Sequence, residues 1–393
     1  MAKSLFIVLL VGTVFSVGGA VAVAQDSSPG QDRLPAVIES RLQEAGENQR
    51  ELRSALEDVK YEHRRALEFL IEHMPLADLQ SLSAKYLLEN IELAYQGINE
   101  VPWGRQIPEQ IFFNDILPYA NVDETREAWR RQMMETCLPL IKGCETPGEA
   151  AQKLNRELFP LVNVRYSTSR KKANQSPAES MQQNVASCTG LSIILTDACR
   201  SVGIPSRLVG TPSWTNKRGN HTWVEVWDDG WQFTGAAEPS GQGLNHGWFQ
   251  NDASMADDTK PMNRIYAVSF AKTGIYFPMV WSRNKQTVSG VNVTSRYTTK
   301  RVNWDATKTR VLISINAKTG ERLAKEITLK GPQGAKLTGQ TRGESADMND
   351  ILMFELPRNQ NWQVTWEAAG QTLTEKCETG DTEQTWWKLE SVD

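Results

Sequence analysis

Asn184-Val-Ala-Ser-Cys188-Thr-Gly-Leu-Ser-Ile-Ile-Leu-Thr-Asp-Ala-Cys199-Arg-Ser-Val-Gly203-Ile-Pro-Ser-Arg207 decides how the chain is read, together with His221-Thr-Trp-Val-Glu-Val-Trp227 downstream of it. Leu191, Ile194, Leu195, Ala198 and Val202 recur at the spacing of a helix that buries one face. Ser187 reads as its N-cap and Gly203 as its stop, with Pro205 just beyond. Cys188 then falls in the first helical turn, where unpaired N–H groups and the helix dipole favour an anion, and the thiolate is the nucleophilic form of cysteine. Gly190 removes a side chain near the sulfur and could let a substrate backbone approach.

Working outward, Ile204 to Gly210 reads as a strand, and the polar loop Thr215 to Asn220 leads into a second. In that second strand His221, Trp223, Glu225 and Trp227 share one face, while Thr222, Val224 and Val226 share the other. Asp228-Asp229-Gly230 signals a hairpin, with Trp231 to Thr234 returning. A two-residue loop at Asp229-Gly230 sets Asp228 opposite Trp231, and by that register His221 faces Glu238. A carboxylate on the second imidazole nitrogen fixes the tautomer, so Cys188, His221 and Glu238 form a nucleophile, base and orienter set for acyl transfer.

These pieces resemble the transglutaminase-like superfamily: Ser-Cys188-Thr-Gly-Leu, Gly-Ile-Pro-Ser-Arg207, His221-Thr-Trp-Val-Glu-Val-Trp and Gly230-Trp231 come in that family's order, over roughly residues 150 to 250. A narrower resemblance, to secreted bacterial transglutaminase-like proteins, runs from about Ala66 to about Phe277. The resemblance implies an α+β, papain/transglutaminase-like core: a nucleophile helix packed on an antiparallel sheet, with a Cys-His-acid site and no metal or organic cofactor. One departure stands out. The family's acid-Pro pair falls four residues after the tryptophan, where this chain has Gly235, and Glu238-Pro239 comes three residues late. Gly235-Ala236-Ala237 is read as an insertion that keeps Glu238 in the acid's place. Gln182, Gln183 and Asn184 are candidate oxyanion donors beside the Cys188 N–H, and His246 is the second choice for the base.

Four expected regions follow. Residues 1–24 read as a secretory signal, with Lys3, an apolar run from Leu5 to Val23, and Ala22-Val23-Ala24 at the cleavage point. Residues 25–98 are helical, with Leu52, Leu56, Val59, His63, Ala66 or Leu67, Leu70 and Met74 stepping by threes and fours in a coiled-coil-like or helix-packing seam suited to packing or self-association. His63 and His73 on that seam read as structural. Residues 99–290 hold the core, and 291–393 a small β-sandwich whose tryptophans serve packing in a spacer or accessory module.

The balance of 43 basic to 47 acidic residues argues against nucleic acid as partner, and beyond the leader no apolar run of membrane-spanning length implies stable insertion. Five cysteines in an exported chain fit one reactive thiol plus up to two bridges: Cys137 with Cys144, and Cys199 with Cys377 unless Cys199 is a buried thiol. Four histidines without a paired Cys or His-x-x-x-His spacing give no zinc signature. The chain therefore reads as a secreted or periplasmic cysteine enzyme that cleaves amide bonds of peptides or proteins through a thioester, with peptidase or amidase favoured over protein crosslinking. The alternative is a non-catalytic envelope binding protein that keeps the fold.

Overall fold

The computed structural model describes residues 34–299 and 303–392, so the leader expected at 1–24 lies outside the described residues. The expected N-terminal seam is divided into Ala36–Glu44, Gln49–Asp58 and Arg64–His73, which fold back on one another instead of forming one long coiled coil. Leu52, Leu56, Leu67, Leu70 and Met74 meet in one buried cluster. The breaks are held locally: Asn48 donates to the Leu79 and Leu82 carbonyls, and Val59 leaves the helical region. His63 stacks on Tyr95 at 4.0 Å, in keeping with a structural role.

After the short helix Leu76–Leu79, the long helix Ala84–Asn99 is capped by Ser83 and carries this bundle against the core. Its Gly97 touches the end of the helix Cys188–Ser201: a Cβ there would lie 2.6 Å from the Ser201 carbonyl oxygen. Gly203, at φ +68°, approaches equally closely from the other side, so two backbones cross without side chains between them. Gly97→Ala should lower stability by about 1–3 kcal/mol, the cost of overpacking where only backbone can give way, exceeding the gain in helix propensity. A thermal or urea melt checks it.

The nucleophile helix lies across a five-stranded antiparallel sheet in the order Trp231–Thr234, His221–Trp227, Ser206–Thr211, Tyr266–Ser269, Ser289–Asn292. The alternation read from sequence holds: Val224 and Val226 pack with Leu191, Ile194 and Ala198, while Trp223 packs on the far face with Trp214, Phe249 and Tyr297. The hairpin register does not hold. Trp227 faces Trp231 and Val224 faces Thr234 across a three-residue loop, Asp228 to Gly230, in which Asp229 takes a positive φ of 52° and Asp228 N donates to the Gly230 carbonyl. Strand pairing with His221–Trp227 ends at Thr234, so Glu238 comes near His221 through the turn Gly235–Glu238 and not by facing it across a ladder.

All five cysteines are free: neither bridge forms, and Cys199 is the buried thiol that stood as the alternative to its bridge with Cys377. Cys137 is buried in Trp129–Leu140 within the nucleophile helix's own core, and Cys377 sits on a strand of the C-terminal module. Burial raises the thiol pKa of Cys137 to about 12 and that of Cys199 still further. The C-terminal module is a sandwich. One sheet orders Lys336–Gln340, Glu326–Lys330, Asn361–Ala368 and Gln371–Glu378; the other sets Leu352–Pro357 and Gln384–Glu390 on either side of Lys308–Asn316. Val311, Ile313, Leu329, Val364, Trp366 and Leu389 fill the space between them.

Candidate active site

The helix starts at Cys188. Ser187 Oγ accepts from Gly190 N at 3.1 Å and donates to the Ala173 carbonyl, which pins the N-terminus as the sequence predicts. By helix geometry the N–H groups of Cys188 and Thr189 have no intrahelical acceptor and stand as donors beside the sulfur. Gly190 serves another purpose than the one expected: a Cβ there would meet the Ala186 Cβ at 3.0 Å, so the glycine lets the segment before the cysteine pack against the helix. Two contacts hold the helix to the strand that bears the base. Thr189 Oγ1 lies 3.0 Å from Thr222 Oγ1, and Ser192 donates to the Thr222 carbonyl. Cys188 and His221 are thus brought together by their immediate chain neighbours.

His221 is buried, and rings close around it: Trp248 at 4.7 Å, Phe249 at 4.9 Å and Trp223 at 5.8 Å between centroids. Its two nitrogens look toward different acids. Nε2 lies 3.9 Å from Glu238 Oε2, which is itself held by the Trp248 indole N–H at 2.8 Å. Nδ1 lies 3.5 Å from Asp347 Oδ2, and one ligand atom each of Cys188, His221 and Asp347 fall within 4.8 Å of one another. Burial alone would lower the imidazole pKa, but Asp347 and Cys188 outweigh it and hold His221 well above its ordinary value. Glu238 moves up to about 8, because burial and the Asp347 charge outweigh His221.

Asp347 is the residue that sequence reasoning missed. It comes from the C-terminal module, in the loop between Lys336–Gln340 and Leu352–Pro357, and is 1% exposed. That loop is fastened on both sides. Arg322 donates to the carbonyls of Ala346, Asp347 and Asp350, and Asn349 reaches the core by donating to the Asn220 carbonyl next to His221. Within the loop, Asp347 Oδ1 accepts from Asn349 N at 2.8 Å, while Oδ2 is buried with no hydrogen-bond partner among the described residues. Nothing in the local sequence Ser345-Ala-Asp-Met-Asn-Asp350 marks it as a site residue.

Of the expected residues, then, the structure joins Cys188 to His221 and sets Glu238 on the far nitrogen. His246 stays outside the cluster. The amide candidates turn elsewhere: Gln183 bonds Lys171 N and the Glu179 carbonyl, and Asn184 bonds the Asn163 carbonyl. Gln182 is exposed. A cavity of about 430 Å³ runs up to Glu238 between the helix Pro147–Val162 and the module, with Phe159, Val164, Tyr166, Leu191 and Ser345 on its walls.

Residues 135–236 match the family model described as the transglutaminase-like superfamily, so that stretch of the chain is a transglutaminase-like domain. Among solved structures, a candidate cysteine protease from Cytophaga hutchinsonii is similar at 16% identity and a TM-score of 0.27, over 33% of this chain and 44% of that one. Red sea bream transglutaminase is similar at 10% identity and a TM-score of 0.31, over 71% of this chain and 65% of its own. The chain thus spans less than two thirds of either structure. No curated protein matches its sequence.

Proposed function

We propose that the transglutaminase-like domain makes this chain a cysteine-dependent enzyme that hydrolyses amide bonds of peptides or proteins through a thioester. The observation that carries the reading is Cys188 at a helix N-terminus, next to a buried imidazole whose pKa is raised by its neighbours. Cys188 Sγ attacks the amide carbonyl, and His221 takes the thiol proton. The N–H groups of Cys188 and Thr189 receive the developing oxyanion, and His221 returns the proton to the leaving amine. Water, deprotonated by His221, then opens the thioester and frees the acid. Hydrolysis is favoured over transfer to an amine because water is the default acceptor and the cavity walls are mostly apolar, with no carboxylate but Glu238. The apolar leader sequence supports substrates outside the cytoplasm, and the N-terminal helices are proposed as the surface for self-association.

The test is turnover of a peptide-amide library by the mature protein, with mass spectrometry of trapped acyl-enzyme. Acylation confined to Cys188 is expected; labelling of Cys199 as readily as Cys188, or no acylation, would overturn it. Glu238 makes a second prediction. Below its raised pKa it is a neutral acid, and above it an anion facing Nε2 that stabilises the imidazolium His221 becomes on taking the thiol proton, so the wild-type rate should rise as pH rises through about 8. Glu238→Gln keeps an oxygen for the Trp248 N–H and should retain most of the rate at pH 6. The pH–rate profile should lose the feature near 8.

A further inference from the structure

Beyond its effect on His221, Asp347 has no task in the hydrolytic cycle. It lies at Nδ1 of the imidazole and within 4.8 Å of the Cys188 sulfur, while Glu238 faces Nε2, and an anion there competes with a thiolate for His221. Its spacing is informative. Asp347 Oδ2 and both His221 nitrogens are buried without a hydrogen-bond partner among the described residues, at separations of 3.5 Å between acid and imidazole and within 4.8 Å across the cluster. That is slack for hydrogen bonds, but it approaches the roughly 3.2–3.8 Å between ligand atoms that metal–ligand bonds of about 2.0–2.3 Å in a tetrahedron produce.

We infer that Cys188, His221 and Asp347 form a binding site for a thiophilic divalent cation, zinc fitting best, that ties the C-terminal module to the core and switches the nucleophile off. One thiolate, one imidazole and one carboxylate are the ligand types zinc takes, and three protein ligands leave the fourth position to water. The surroundings match a metal site as well. Glu238 faces the other nitrogen of the histidine, the place of the carboxylate that orients a metal-bound imidazole. Asp347 is held by its own loop through Asn349 N and Arg322, so it is already positioned in the absence of the ion. A dipositive ion neutralises the thiolate and carboxylate together, which a single imidazolium cannot do. On binding, the thiol proton goes to solvent and the Sγ lone pair is committed to the metal, so no acyl transfer takes place until the ion leaves. The sequence conceals the site because its ligands come from three distant segments with no short spacing among them. The inference stands whichever amide is cleaved, and even if none is.

The experiment is equilibrium dialysis of the mature protein against Zn²⁺, paired with iodoacetamide labelling of Cys188 and absorption spectra with Co²⁺. One zinc per chain, loss of Cys188 labelling that EDTA restores, and a near-ultraviolet thiolate-to-cobalt band are expected. Asp347→Asn preserves shape but is a poorer ligand, and should weaken zinc at least tenfold and shift protection of Cys188 to correspondingly higher zinc. Cys188→Ser, which leaves the module loop untouched, should abolish the cobalt band. Equal affinity in Asp347→Asn and wild type would overturn the inference, since thiol and imidazole alone would then account for binding. So would the absence of zinc protection in the wild type. Failure of Cys188 to acylate in metal-free protein would instead count against the hydrolase reading and leave zinc binding intact.

Discussion

His221→Ala should slow amide hydrolysis by about 10²–10⁴-fold, the range that a positioned general base and acid contributes. The imidazole acts twice in the proposed cycle, removing the thiol proton before attack and protonating the amine that leaves, so its loss slows acylation and deacylation alike. Two readouts separate this from a mere packing defect. The rate of Cys188 alkylation at neutral pH should fall in parallel with turnover, because His221 is the cation beside the sulfur. KM should change much less than kcat, because the groove residues Phe159, Val164 and Leu191 are untouched. His221→Gln fills the ring's space among Trp223, Trp248 and Phe249 and should be as inactive as the alanine variant while melting closer to wild type. A His221→Ala enzyme with turnover within tenfold of wild type would move the base elsewhere, His246 being the next candidate.

The parts of this arrangement carried by local chemistry were legible in the sequence. A cap, an apolar stripe and a glycine stop fix the nucleophile helix, and strict alternation fixes which face of His221–Trp227 meets it. What could not be read depends on backbone conformation at single residues or on distant contact. Asp-Asp-Gly signals a turn without specifying two residues or three, and the three-residue loop that forms shifts the register by one. Glu238 lies near His221 for a different reason than the ladder proposed: the turn at Gly235–Glu238 carries it, and the Trp248 indole holds it. Asp347 was beyond reach, since a loop of small and polar residues acquires meaning only when Arg322 and Asn349 lay it against His221. Cysteine count likewise could not say that the helix packing buries Cys137 and Cys199 as thiols.

Glu225→Ala should destabilise the core by about 3–5 kcal/mol, the cost of breaking a buried ion pair by removing one partner. Glu225 lies two residues along the same strand face from Trp223 and is fully buried. Its Oε2 accepts from Arg207 Nε and Nη2, at 3.0 and 2.8 Å, and its Oε1 accepts from Arg296 and the Tyr297 hydroxyl. Arg207 is itself only 6% exposed and stacks on Trp231 at 3.6 Å, so the alanine variant leaves a buried guanidinium in the sheet without its hydrogen-bonded carboxylate. The same network ties the segment after the last core strand to the strand that carries His221, because Arg296 and Tyr297 both belong to Thr294–Thr298. Loss of Glu225 should therefore reduce activity through the position of His221 as well as through stability. Replacing both partners, Arg207→Leu with Glu225→Leu, removes the unpaired charge and should recover most of the lost stability. Urea unfolding of the two single variants and the double variant measures the coupling directly. If Glu225→Ala unfolds within 1 kcal/mol of wild type, the network is positioning side chains at the site without holding the sheet together, and the activity loss alone should remain.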